Sequence, residues 1–229
     1  MTGRAGSPLG KMLAALALIL LLPVSGLAMD ARQRALDIIA AVQTSGLETE
    51  IGAIIELEVG AETVTASGLE GLEVNVPMGH EAFAFDGAGG TYHVLDDGRI
   101  LLVDSEGSAG VVAASFADFV AIATGLPSWN SALRVIGKDD LAAARADWLA
   151  LRAKWKLDEM AHSPWQYGSG YKTATPGQAA VLIGKALGAS RLDDPFAALH
   201  HAIHKLNGDV SVRWSGEPLL LFGSGPSPL

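Results

Sequence analysis

Between Phe83 and Thr124 the alternation of apolar and polar positions changes period once, and that change marks the central unit of the chain. Phe83 and Phe85 stand two apart, the spacing that puts two side chains on one face of a strand. Gly87, Gly89 and Gly90 punctuate a reversal, Thr91 to Leu95 resumes as a β-prone run, and Asp96-Asp97-Gly98 is a hairpin signal. The return leg carries Ile100, Leu101, Leu102 and Val103 without a polar break, which predicts a central strand covered on both faces. Gly107 and Gly110 bracket the next turn before Val111 and Val112. At Ser115 the period becomes helical, with Phe116, Phe119, Val120 and Ala123 at i, i+3, i+4 and i+7. Ser115 and Asp118 have capping-box spacing, and Gly125 followed by Pro127 ends the helix. The stretch therefore predicts a meander of short strands onto which one helix lays two phenylalanines.

The flanks extend this unit. Asp30 caps a helix through about Ser45, with Leu36, Ile39, Ala40 and Gln43 on successive turns and Gly46 as the stop. Ile55, Leu57 and Val59 alternate with Glu56 and Glu58, and Leu72, Val74 and Val76 alternate with Glu73 and Asn75. Both read as half-buried strands that lengthen the same sheet. Beyond Pro127 the pattern is helical. Leu141, Ala144, Trp148, Leu151 and Trp155 make one apolar seam after Asp140. Thr175-Pro176-Gly177-Gln178 opens a helix through Leu187, and Asp194-Pro195 opens another with Phe196, Leu199, Ile203 and Leu206 inward. Val210, Val212 and Trp214 then alternate, and Leu219 to Phe222 closes a hairpin. The expected fold is α+β: a mainly antiparallel sheet faced by helices, then a helical second half with a C-terminal hairpin. One domain over 29–222 holds both halves, 29–128 and 129–222, ahead of a flexible tail at 223–229.

Composition narrows the functions. With 229 residues, 49% hydrophobic and 18% charged, the chain can bury a substantial core. Arg4 and Lys11 precede an uninterrupted apolar run from Met12 to Leu22, Pro23 breaks it, and Gly26-Leu27-Ala28 supplies small residues for cleavage. That layout predicts a signal peptide over 1–28 and a periplasmic or secreted mature chain, the run being short for a membrane span. Two alternatives stand beside it. The segment stays uncleaved, which would be the route to a membrane, or translation starts at Met29 and the protein is cytoplasmic. The formal net charge is −9, and −11 without Arg4 and Lys11. So acidic a chain argues against nucleic-acid binding and suits encounters with basic proteins. The absence of cysteine excludes disulfides, thiolate metal sites and cysteine nucleophiles.

Few residues propose chemistry. His200 and His204 are four apart on one helix face, a spacing that can chelate a transition metal, although His201 points elsewhere and no third ligand lies nearby in sequence. The alternative is that both histidines simply flank the apolar stripe. Trp165, Tyr167 and Tyr171 sit on a glycine-rich loop, where they either form a recognition surface or pin the loop to the body. The paired acids Asp96-Asp97, Asp139-Asp140 and Asp193-Asp194 fall at turns and helix starts, where a carboxylate has a local structural role. No P-loop and no Gly-x-Ser-x-Gly elbow is present, and no catalytic residue or cofactor is implied.

Asp86-Gly87 with its following glycines, the Asp97-Gly98 hairpin, the strand into Asp104, and Val112-Ala113-Ala114-Ser115-Phe116 leading to Phe119 resemble the SUKH superfamily. The resemblance covers residues 83–124. It implies an α+β fold with a twisted sheet backed by helices, no catalytic residues, and, as in bacterial members, an immunity protein that neutralises a toxin. The expectation is a non-enzymatic protein-binding module whose partner is a basic toxin domain, met by the acidic surface and the aromatic loop. The alternative is an exported metal-binding protein or metal-dependent hydrolase using His200 and His204.

Overall fold

The structure, a computed structural model of the chain, describes residues 29–60, 70–166 and 168–222. The expected signal segment, the C-terminal tail and Tyr167 lie outside the described residues. The fold is α+β.

The predicted meander is present as β2 (His80–Phe85), β3 (Thr91–Leu95), β4 (Ile100–Val103) and β5 (Ser108–Ala113), each antiparallel to the next. The predicted helix follows as α3 (Phe116–Gly125). Ser115 Oγ accepts the Asp118 N–H at 3.1 Å and donates to the Asp118 carboxylate at 2.8 Å, so one pair of side chains fixes the first turn. Phe119 is fully buried, 5.3 Å from the Tyr92 ring and edge-on to Trp129 at 5.2 Å, while Phe116 meets Phe83 edge-on at 6.1 Å. These arrangements bury large rings at their favoured geometry.

The molecule has three layers. Tyr92, Val94, Ile100 and Leu102 face the helices, and the main core forms there. On the other face Leu95, Leu101, Val103 and Val111 pack against Val210, Val212, Leu72 and Val74. The second cover is a small antiparallel sheet of β1 (Leu72–Asn75), β6 (Ser211–Trp214) and β7 (Glu217–Pro218), in the order β1-β6-β7. Two covers explain why β4 is buried along its whole length.

Several expectations change in three dimensions. Ile55 is not in a strand: α1 (Ala31–Ser45) is followed by α2 (Glu48–Ile55), because Leu47, Ile51 and Ile55 repeat at i, i+4 and i+8 and are all buried. Only an isolated bridge between Glu58 and Phe85 remains of the expected strand. The Leu72–Val76 alternation does make a strand, β1, but it pairs with β6 and not with the main sheet. Phe83 and Phe85 part company at a bulge between Ala82 and Ala84, which leaves Phe85 opposite Thr91 and Phe83 on the helical side. Helix α1 buries Ala35, Ile38, Ile39 and Val42, so Leu36 and Ala40 face solvent. The C-terminal hairpin is short. Leu219 still donates to Val212 O, but β8 (Leu220–Leu221) crosses over to pair parallel with β5.

The second half is helical as expected, with α4 (Trp129–Leu133), α5 (Leu141–Lys154), α6 (Leu157–His162), α7 (Pro176–Ala186) and α8 (Pro195–Lys205). Asp140, Thr175 and Asp194 each cap a helix through a side-chain oxygen, and Gln178 reaches back to the Ala174 N–H at 3.0 Å. On α5 the seam is Ala144, Trp148 and Leu151, with Trp148 stacked on Phe196, whereas Trp155 falls past the helix end and is exposed. Buried Asn207 joins the layers. It donates to Ile203 O at 2.8 Å and accepts the Val111 N–H at 2.7 Å, closing the outer edge of β5 where β8 stops.

Candidate functional site

Helix α7 packs across α2, α3 and α6, and its outer side leaves a groove of about 1160 Å³. Ala180, Val181 and Gly184 of α7 form one wall with Thr124 and Gly125 of α3. Met160 and Ala161 of α6, Pro164, Trp165, Gln166 and Tyr171 of the loop that follows, and Ala189, Leu192 and Pro195 ahead of and at the start of α8 complete it. Several of the residues that line the walls are small, among them Ala121, Gly125, Ala180 and Gly184. The exposed apolar side chains Val181, 75% accessible, and Met160, 51% accessible, stand at this groove.

The structure brings two of the three loop aromatics together here. Trp165 and Tyr171 stack with ring centroids 3.8 Å apart and planes 9° from parallel, and both line the groove. Trp165 Nε1 donates to Thr173 O at 2.9 Å, which fixes the indole edge. Gly168, at φ +88°, makes the stack possible, since a Cβ there would lie 2.9 Å from the Tyr171 hydroxyl. Glu50, nearly inaccessible although it is a carboxylate, accepts the Lys172 N–H, and Lys172 Nζ donates to Gly46 O. The loop therefore hangs from the corner between α1 and α2. The rings are pinned to the body of the protein, and both border the groove. The Glu50 anchor was invisible in sequence, because a glutamate in an apolar helix gives no sign of a partner so far along the chain.

His200 and His204 are also brought together, with ring centroids 4.2 Å apart. Their Nε2 atoms, however, lie 2.9 Å from Lys138 O and 2.8 Å from Ile136 O, and His204 Nδ1 is 3.1 Å from Asp139. A ring nitrogen that donates to a carbonyl has no lone pair for a metal. Among the described residues no three His, Asp or Glu side chains are grouped so as to hold a metal ion. The pair closes the segment between α4 and α5 by satisfying its carbonyls.

A second cleft, about 450 Å³, holds Glu56, Asp86 and Asp104. Burial pushes the Glu56 carboxyl up, opposed by the Asn130 hydrogen bond at 2.6 Å and aided by Asp86. Burial raises Asp104 too, against the Ser108 and Glu106 N–H groups that it accepts. Asp86 and Asp104 each close their own turn, Asp86 by accepting from Ala88 and Gly90. Of the paired acids, Asp96 accepts from Ala31 and Gly79, Asp97 holds Arg99, and Asp194 both caps α8 and binds Arg145. These are structural roles.

A main sheet with helices over one face and a smaller sheet over the other makes this an α+β protein. No family model, no curated protein and no solved structure matches the chain.

Proposed function

We propose that this chain is a non-enzymatic protein-binding module whose docking surface is the groove beside α7. Its occupant is an apolar segment of a protein partner, carried by a body of basic charge. The observation that carries the reading is the juxtaposition of Val181 and Met160, apolar and exposed, with the Trp165–Tyr171 stack along one groove. Aromatic anchors beside an apolar trough are the usual source of binding energy in such contacts. The net charge of −9 supports a cationic partner, through faster encounter more than through tighter contact.

The finer reading, a toxin-neutralising immunity protein of SUKH type, rests on the resemblance of residues 83–124, and export rests on residues 1–28. Neutralisation would then be steric, by occlusion of the partner's own site. The test uses Val181→Asp, a change at an exposed position that leaves folding intact. A protein captured from the native cell by the wild type and lost with Val181→Asp, at unchanged melting temperature, supports the groove. Equal capture by both chains removes it. Sequencing the N-terminus of the mature protein decides export.

A further inference from the structure

Strand β6 ends in a tight hairpin, Trp214-Ser215-Gly216-Glu217, with Ser215 at φ +50° and Gly216 at φ +86°. Two left-handed residues in succession let β6 and β7 meet across a two-residue turn, which sets Trp214 directly opposite Glu217. Opposite residues share one face of a sheet, with Cβ atoms about 5 Å apart. Trp214 stands two residues from Val212 and Glu217 two from Leu219, and both of those pack against the main sheet. Indole and carboxylate therefore point to the same side. The Trp214 ring nevertheless stays 45% accessible, because the inter-sheet core ends short of it.

Trp214 and Glu217 line a cleft of about 590 Å³ between this hairpin and the main sheet. Thr91 and Val103, paired across β3 and β4 and both buried, lie at its base. Three carboxylates line it, Asp104, Glu106 and Glu217, and no lysine, arginine or histidine does. Asp104 commits Oδ1 to the Glu106 and Ser108 N–H groups of its own turn, at 3.0 and 2.7 Å. Among the described residues none of the three carboxylates has an ion pair. Burial raises the Asp104 carboxyl, the N–H groups of its turn oppose that, and the charges of Glu106 and Asp86 add to it. Arg213, next to Trp214 in sequence, points to the opposite face of β6 and donates to Gly216 O. The negative charge of the cleft is thus left without a cation from the chain itself.

We propose that this cleft takes an arginine side chain of a basic partner protein, with the guanidinium against the Trp214 indole and its N–H groups on the carboxylates. An accessible indole beside three uncompensated acids in one concavity is complementary to a cation that also has a flat face. The guanidinium is such a cation: planar, weakly hydrated, able to stack on an aromatic ring and forked to meet carboxylates. A lysine ammonium is compact and strongly hydrated, and gains less from the ring. No residue of this cleft lines the groove beside α7, so the site stands whatever the groove binds.

The test is a titration of the full chain with N-acetylarginine amide, read from backbone amide shifts. It is run at about 0.15 M NaCl, where long-range attraction to the acidic surface is screened. Amides 104–107 and 214–217 should move together and saturate, with a dissociation constant on the order of 10 mM. Trp214→Ala should weaken binding roughly fivefold and Glu217→Gln roughly threefold, both at unchanged melting temperature. N-acetyllysine amide should bind roughly threefold more weakly than the arginine compound. Shifts scattered over the acidic surface, or none that saturate at the cleft, overturn the site. So does binding that neither variant weakens. Equal affinity for the lysine and arginine compounds overturns arginine as the occupant. If Trp214→Ala does not fold, Glu217→Gln, a change at an exposed position, decides.

Discussion

The indole of Trp165 lies flat on the phenol of Tyr171, 3.8 Å between ring centroids, and the pair forms part of the groove wall instead of sinking into the core. Two aromatic rings held rigid before any partner arrives lose little entropy on binding. Trp165→Phe keeps the stack but gives up the bond to Thr173 O, and should cost about 1 kcal/mol in urea unfolding. Trp165→Ala loses both and should cost about 2 kcal/mol. It should also open the 163–173 loop to limited proteolysis.

Phe119 is the side chain on which the main core converges, touching Tyr92, Phe116 and Trp129. Phe119→Ala should destabilise the protein by about 3–5 kcal/mol, because three rings border the void and none can collapse freely into it. Phe116→Ala, at a half-buried position, should cost less than half as much in the same denaturation experiment.

Asn207→Ala leaves the buried Val111 N–H without an acceptor and should cost about 2–3 kcal/mol. Asn207→Asp keeps the acceptor, loses the donor to Ile203 O, and should be milder at neutral pH. The reverse order of stability would show that a buried carboxylate set against the Ile203 carbonyl costs more than the bond to β5 returns.

Stability should depend on pH through His93. Burial and the neighbouring His80 hold its folded value at about 3, below the ordinary histidine value of 6.5, so the unfolded chain binds the extra proton first. The contribution is fully present above pH 6.5 and is lost as pH falls from there toward 3. Its full size is on the order of 5 kcal/mol. Guanidine midpoints measured from pH 8 to pH 4 should decline below pH 6.5, and His93→Gln should flatten that part of the curve.

Zinc or a chelator should leave the melting temperature unchanged, since the Nε2 atoms of His200 and His204 are bonded to backbone carbonyls. His200→Ala should cost about 1–3 kcal/mol by stripping a partner from Lys138 O. Stoichiometric zinc retained by the wild type and lost in His204→Ala would instead restore the metal-binding alternative.

Whatever is decided within a few residues was legible in the chain. The oxygens of Asp30, Ser115, Asp140, Thr175 and Asp194 bond to backbone three positions ahead, so composition and spacing alone placed five helix starts. The same locality made the β2–β5 meander readable from its turns, and it made Trp165 and Tyr171 visible as loop aromatics, though not as a stack. Only the tertiary structure could decide which surfaces meet. The alternation at Leu72–Val76 states that one side is apolar but not that β6 covers the edge beside it. The spacing of Leu47, Ile51 and Ile55 competes evenly with that of Ile55, Leu57 and Val59 until a neighbouring helix is present to bury one set. The His80–His93 contact, the Glu50 anchor and the groove likewise arise between segments distant in sequence. Burial energy belongs to a pair of surfaces, and a linear pattern specifies only one of them.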